Sequence, residues 1–103
     1  MVVALIEQHR EQLMEVCRQY GVRRLDLFGS ATRADFDLGS SDLDFVVEFD
    51  GLTVEDAADR YLGLLVDLED LFGRKVDLVS ARAVRNPYFR QVLDGTRVSV
   101  YAA

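Results

Sequence analysis

The chain has 103 residues, a formal net charge of −6, 50% hydrophobic and 29% charged residues, and a single proline. This balance excludes a disordered tail and a multidomain enzyme, and it is that of one compact domain over residues 1–103 that buries roughly two-thirds of its unfolded surface. The charge is uneven: Asp35 to Asp59 carries nine acids and no base, while the other 78 residues hold nine acids and twelve bases, so the acidic stretch is a poor surface for nucleic-acid phosphates.

A first helix is predicted over 2–20, where Val2, Ile6, Leu13, Val16, Cys17 and Tyr20 recur at helical spacing and Gly21 follows as a stop. His9 falls on its polar side and reads as a solvent residue; Cys17 falls on its apolar side and reads as packing. A strand follows over 23–28, with Leu25 and Leu27 on one face and Gly29-Ser30 at its end. Residues 31–41 form a polar connection. The clearest strand is 43–49, where Leu43, Phe45, Val47 and Phe49 alternate, and Asp50-Gly51 marks a turn. Thr53 is the expected N-cap of a helix whose apolar stripe runs Val54, Ala57, Ala58, Tyr61, Leu65, Leu68 and Phe72, closed by Gly73. In this stripe Tyr61 or Leu64 is a candidate contact for a partner. A short strand over 75–79 comes next. Asn86-Pro87 reads as an N-cap with proline at the first helical position, opening a helix over 87–94 that ends at Gly95. Residues 97–101 form the last strand. Two strands in succession without a long helix between them imply a mixed sheet with helices packed on it, an α/β (α+β) class.

Cys17 is the single cysteine and cannot form an internal disulfide, which fits a reducing compartment. No apolar run approaches the ~20 residues of a membrane span, and the apolar start, Met1 to Ile6, is short and lacks a basic leader. A cytoplasmic protein without a membrane partner is expected.

The chemistry-bearing residues gather around the strands. In Asp42-Leu43-Asp44 the two aspartates alternate with a core-facing leucine, so both project from the opposite face with α-carbons ~6.5–7 Å apart. Two converging carboxylates suit a magnesium ion held with substrate phosphates. Asp35-Phe36-Asp37 has the same spacing but lies in the connection, where no strand pattern fixes its geometry. Gly29-Ser30 ends a strand where glycine permits close approach of a ligand and a following helical turn would offer N–H groups to phosphate. Asp77, between core-facing Val76 and Leu78, points away from the core and joins Asp42 and Asp44 if the two strands are neighbours. Three such carboxylates can hold two divalent ions. Arg82, Arg85, Arg90 and Arg97 make the C-terminal quarter basic, read as solvated charge, with contact to a phosphate-bearing ligand or an acidic partner as the other option.

Three segments together, Leu27-Phe28-Gly29-Ser30-Ala31-Thr32-Arg33, Ser41-Asp42-Leu43-Asp44-Phe45-Val46-Val47 and Val76-Asp77-Leu78-Val79, resemble the nucleotidyltransferase signature of the polymerase-beta superfamily. The nearest branch is the minimal nucleotidyltransferase family, antitoxins of HEPN-domain toxins encoded beside them. The resemblance covers about residues 5–101 and includes Asn86-Pro87, Arg90 and Gly95. It implies a nucleotidyltransferase fold with a mixed sheet of about four strands and magnesium-dependent adenylyl transfer from ATP to a hydroxyl, a tyrosine above others, of the cognate HEPN toxin. By the same resemblance Asp42, Asp44 and Asp77 are catalytic and ligate two magnesium ions, and Asp77 helps deprotonate the acceptor. Gly29, Ser30, Arg33 and Ser41 bind the nucleotide, with Arg33 left between a phosphate contact and an ion pair. One departure stands out: Thr32-Arg33-Ala34 replaces an Ala-Arg-Gly ending, and Ala34 adopts positive φ less readily than glycine. About 100 residues leave no separate domain for a sugar, an antibiotic or tRNA, so the expected acceptor is a protein; a homo-oligomer and a hetero-oligomer with the toxin are both left open. A non-catalytic toxin-binding module and a nucleotidyltransferase acting on a small molecule are the alternatives.

Overall fold

The computed structural model describes residues 2–29, 42–51 and 54–103. The predicted Thr53 cap and the connection over 31–41 lie outside them. Helices α1 (Val2–Gln8) and α2 (Arg10–Gln19) lead into β1 (Val22–Leu27) and β2 (Leu43–Phe49). Then come α3 (Val54–Phe72), β3 (Val76–Ser80), a short 3-10 turn (Ala81–Ala83), α4 (Pro87–Thr96) and β4 (Val98–Ala102). The four strands form one sheet in the order β3-β2-β1-β4. β1 runs antiparallel to both β2 and β4, and β2 runs parallel to β3. The sheet is mixed, as expected, because α3 carries the chain back across one face between β2 and β3, the only way two successive strands become parallel neighbours.

Alternation along the strands sorts side chains to two cores. On one face Leu25, Leu27, Leu43, Phe45, Val47, Val76, Leu78 and Val100 are buried. They pack with Leu13 and Cys17 of α2 and with Leu64, Leu68 and Phe72 of α3. The opposite face is covered by α4, where Phe28, Val46 and Leu93 form a second cluster against which Val79, Ala81 and Val84 pack. Asn86 caps α4 as predicted, its side chain accepting hydrogen bonds from the backbone N–H of Tyr88 and Phe89. Gly95 does not end α4, which runs one residue further; the Thr96 hydroxyl donates to the Val92 carbonyl in that last turn.

Three further expectations change. The first helix is two, because the chain tightens at His9, whose N–H donates to the Ile6 carbonyl before α2 resumes. His9 is not simply solvated: its Nδ1 lies 2.9 Å from the Leu5 carbonyl and its ring meets Phe72 edge-on at 5.4 Å. The α3 stripe is rotated, with Leu64 fully buried and Ala58 exposed, so Leu64 has no surface to offer a partner. Gly63 explains the close seating of this helix: a β-carbon there would fall 2.5 Å from the Tyr20 ring, whose hydroxyl donates to Asp67 at 2.7 Å.

Arg97 is the largest correction. It is not solvated charge; only 13% of its side chain is exposed, and its Nε lies 2.6 Å from the carboxylate of Asp26. Asp26 is 0% exposed, in the middle of β1. Arg24 approaches the same carboxylate at 2.9 Å, and Arg97 also reaches Glu48 and Asp94, each at 3.3 Å. Burial alone would lower the Arg97 guanidinium, but the hydrogen bonds and charges of Asp26, Asp94 and Glu48 outweigh it and raise it above the usual value. Removing one member of a buried pair leaves an uncompensated charge, so Asp26→Asn is expected to cost about 3 kcal/mol of unfolding free energy in urea titrations. An unchanged urea midpoint would contradict this account of the pair.

Cys17 is confirmed as packing. It is 0% exposed, and burial pushes its thiol from 9.0 up to about 12. The unfolded chain therefore releases this proton from about pH 9, while the folded chain keeps it to about 12. Stability contributed by the neutral thiol falls as pH rises through that window. Wild type is expected to lose stability relative to Cys17→Ala between pH 9 and 11, measured by denaturation at matched pH, and native Cys17 to resist thiol reagents at pH 8.

Candidate functional site

The strand directions bring four sequence-predicted residues to one end of the sheet. β1 finishes where β2 and β3 begin, so Gly29, which follows β1, and Asp42, Asp44 and Asp77 share that end. Asp44 and Asp77 are direct partners across the parallel β2–β3 ladder, about 4.8 Å apart by ordinary strand spacing. Both stand on the face that carries Val46 and Val79, opposite buried Leu43, Phe45, Val76 and Leu78. The neighbour relation that the alternation pattern left conditional is thereby met.

Gly29 supplies the tightest contact. Its φ is +65°, the left-handed region, and a β-carbon there would lie 3.0 Å from Asp44 Oδ2. Any other residue would meet both the backbone penalty and the carboxylate. The Phe28 N–H donates to the Asp44 carbonyl at 3.0 Å, which pins the end of β1 to the start of β2. The Gly29 N–H donates to the Thr96 hydroxyl at 3.1 Å, a contact across 67 positions that no local pattern announces. Gly29 therefore brings shape and close approach to the site, its own amide being engaged by α4.

Asp42, two residues before Asp44, has a partner of its own. It lies 3.9 Å from Lys75 Nζ, both side chains being well exposed. Among the described residues no three His, Cys, Asp or Glu side chains are gathered as a metal would need. The donor chemistry nevertheless fits a hard cation: the carboxylates at this end offer oxygen only, and an exposed ion pair such as Asp42–Lys75 contributes little to holding Asp42 away. Ser30, Arg33, Ala34 and Ser41 lie outside the described residues.

An open cleft of about 590 Å³ runs along β3 beside Asp77, lined among others by Phe28, Tyr61, Lys75, Val79 and Phe89. Phe28 and Phe89 meet edge-to-face at 5.8 Å. The Tyr61 hydroxyl donates to the Leu78 carbonyl, and the Val76 N–H donates to Glu69, so α3 side chains occupy outward backbone groups of this edge strand. Sequence reasoning missed Asp26 and Thr96. An aspartate between Leu25 and Leu27 carried the same signal that singled out Asp77; Thr96 carried none.

These residues fall inside a recognised sequence family: the model of the nucleotidyltransferase domain matches residues 9–98. A provisionally named protein adenylyltransferase of Methanocaldococcus jannaschii is 32% identical over 90 residues, covering 87% of this chain and 85% of the relative. The solved structure of a provisionally assigned minimal nucleotidyltransferase is 33% identical, with a TM-score of 0.59 and 89% of each chain covered. A second solved structure, a tri-AMPylated HEPN toxin of Shewanella oneidensis in complex with its MNT antitoxin, superposes with a TM-score of 0.64 at 18% identity, covering 95% of this chain and 73% of that one. At that identity it shows the shared fold.

Gly29→Ala is expected to destabilise the protein by about 1–2 kcal/mol, from the left-handed backbone and the contact with Asp44. Thermal melts of the two proteins check it; equal melting temperatures would show that the turn tolerates a side chain.

Proposed function

The chain belongs to the nucleotidyltransferase domain family, and from that premise we propose that it transfers AMP from ATP to a hydroxyl, that of a tyrosine above others, on a HEPN toxin and so neutralises it. The observation that carries the reading is the pairing of Asp44 with Asp77 across the parallel ladder, against the left-handed turn at Gly29. The adenylyltransferase relative and the AMPylated toxin in the structural neighbour support the choice of reaction and partner.

In this mechanism the acceptor oxygen attacks the α-phosphorus, the bond to the β-phosphate oxygen breaks, and pyrophosphate leaves. Ser30 holds the outer phosphates at the turn where Gly29 allows their close approach, with Arg33 and Ser41 completing the nucleotide site. Asp77, exposed beside the cleft, takes the hydroxyl proton as the acceptor approaches. Asp42, Asp44 and Asp77 would hold magnesium, which supplies charge neutralisation at the phosphate oxygens and a lowered acceptor pKa. The Asp42–Lys75 contact must open for Asp42 to take part, and its exposure makes that inexpensive. No helix among the described residues is long and apolar enough to cross a membrane; we place the reaction in the cytoplasm, where ATP is available.

Incubation with labelled ATP, magnesium and the HEPN protein encoded beside it tests the proposal. Label is expected in the HEPN protein, with the transfer rate reduced about 10²–10⁴-fold by Asp77→Asn and no loss of fold, since Asp77 is exposed. Absence of label in the partner, together with toxin neutralisation by Asp44→Asn, would assign the chain to non-catalytic binding; label in a small molecule without any protein partner would redirect the acceptor.

A further inference from the structure

We propose that Thr96, at the end of α4, is a positioning residue that holds the Gly29 turn against Asp44; its catalytic consequence rests on the transfer reading above. The Thr96 hydroxyl donates to the Val92 carbonyl at 2.9 Å and accepts the Gly29 N–H at 3.1 Å. A hydroxyl has one proton, so donation to the helix carbonyl turns an oxygen lone pair toward Gly29. The bond fixes an amide whose residue has left the β1–β2 ladder and adopts φ +65°. The α-carbon of that residue is so close to Asp44 that an added β-carbon would be 3.0 Å from its carboxylate. Where Gly29 sits therefore limits where the Asp44 carboxylate can sit.

Thr96 acts from a rigid platform. The adjacent Arg97 is bound to buried Asp26 of β1 at 2.6 Å, and Phe89, two helical turns earlier, meets Phe28, the residue before Gly29. Leu93, fully buried between them, seats α4 on the sheet. The helix is thus tied on both sides of Thr96 to β1 and to the residue that follows it, so its hydroxyl holds the turn with little play. Groups held this way set reaction geometry, and a misplacement of about 1 Å at a reacting centre costs on the order of 10²-fold in rate.

The test compares Thr96→Val, which keeps the shape and removes the hydroxyl, with Thr96→Ser, which keeps the hydroxyl. All proteins are assayed well below their melting temperatures. In Thr96→Val, amide hydrogen exchange at Gly29 in the ligand-free protein is expected to be at least about tenfold faster, and kcat for AMP transfer about 10- to 100-fold lower with little change in acceptor KM. Thr96→Ser is expected to restore both. Unaltered exchange at Gly29 in Thr96→Val overturns the positioning, whatever the activity. Faster exchange with wild-type kcat overturns its catalytic consequence. A wild type that transfers no label under any condition sinks the transfer reading instead, and Gly29 exchange then decides the role of Thr96 alone.

Discussion

Two carboxylates stand side by side on β2 and β3 because the apolar residues around them leave no other register. Leu43, Phe45, Val76 and Leu78 alternate with Asp44 and Asp77, and burial of each is worth about 1.5–3 kcal/mol. A slip of one residue would turn these side chains to the opposite face and bury the aspartates in the main core. Two like charges at about the spacing of neighbouring strands repel by about 1–3 kcal/mol near a surface. Hydrophobic burial wins, and the two aspartates are held as neighbours at the end of the sheet. The same parallel ladder requires α3 to cross one face, and that crossing builds the larger core.

The other face depends on a charge that is buried and satisfied. Asp26 sits inside the sheet only because Arg97 and Arg24 meet it there. Replacing such a pair by apolar residues is often neutral for stability, so its value here lies in where it puts things. Arg97 directly follows α4, and its contact with β1 fixes the end of that helix beside Gly29. Stability and site geometry are thus joined in one short segment: Thr96 touches the turn and Arg97 touches the strand that leads into it.

The acidic stretch also divides on structural grounds. Glu48 meets Arg97 at 3.3 Å, and Asp56 lies 3.9 Å from Arg60, whose Nη1 also donates to the Asp50 carbonyl. Bases from outside the stretch therefore balance part of it. Lys75 likewise approaches Asp42 at 3.9 Å, and Asp44 lies at the same end of the sheet, beside Asp77.

The strand content, the Asn86 cap, the outward placement of Asp44 and Asp77 and the packing role of Cys17 were determined by the sequence alone. Each rests on alternation, helical spacing or a local hydrogen bond, and those act over a few residues. The nucleotidyltransferase motif was equally legible, because its residues fall in short contiguous runs. Tertiary structure decided what lies far apart in the chain: that β3 pairs with β2, that Arg97 enters the sheet to meet Asp26, that Leu64 rather than Ala58 faces the core, and that Thr96 holds Gly29. The reason is physical. Local patterns specify which face of an element is apolar, but which polar groups face one another is settled only when helices and strands pack and each buried N–H, carboxylate and guanidinium must find a partner.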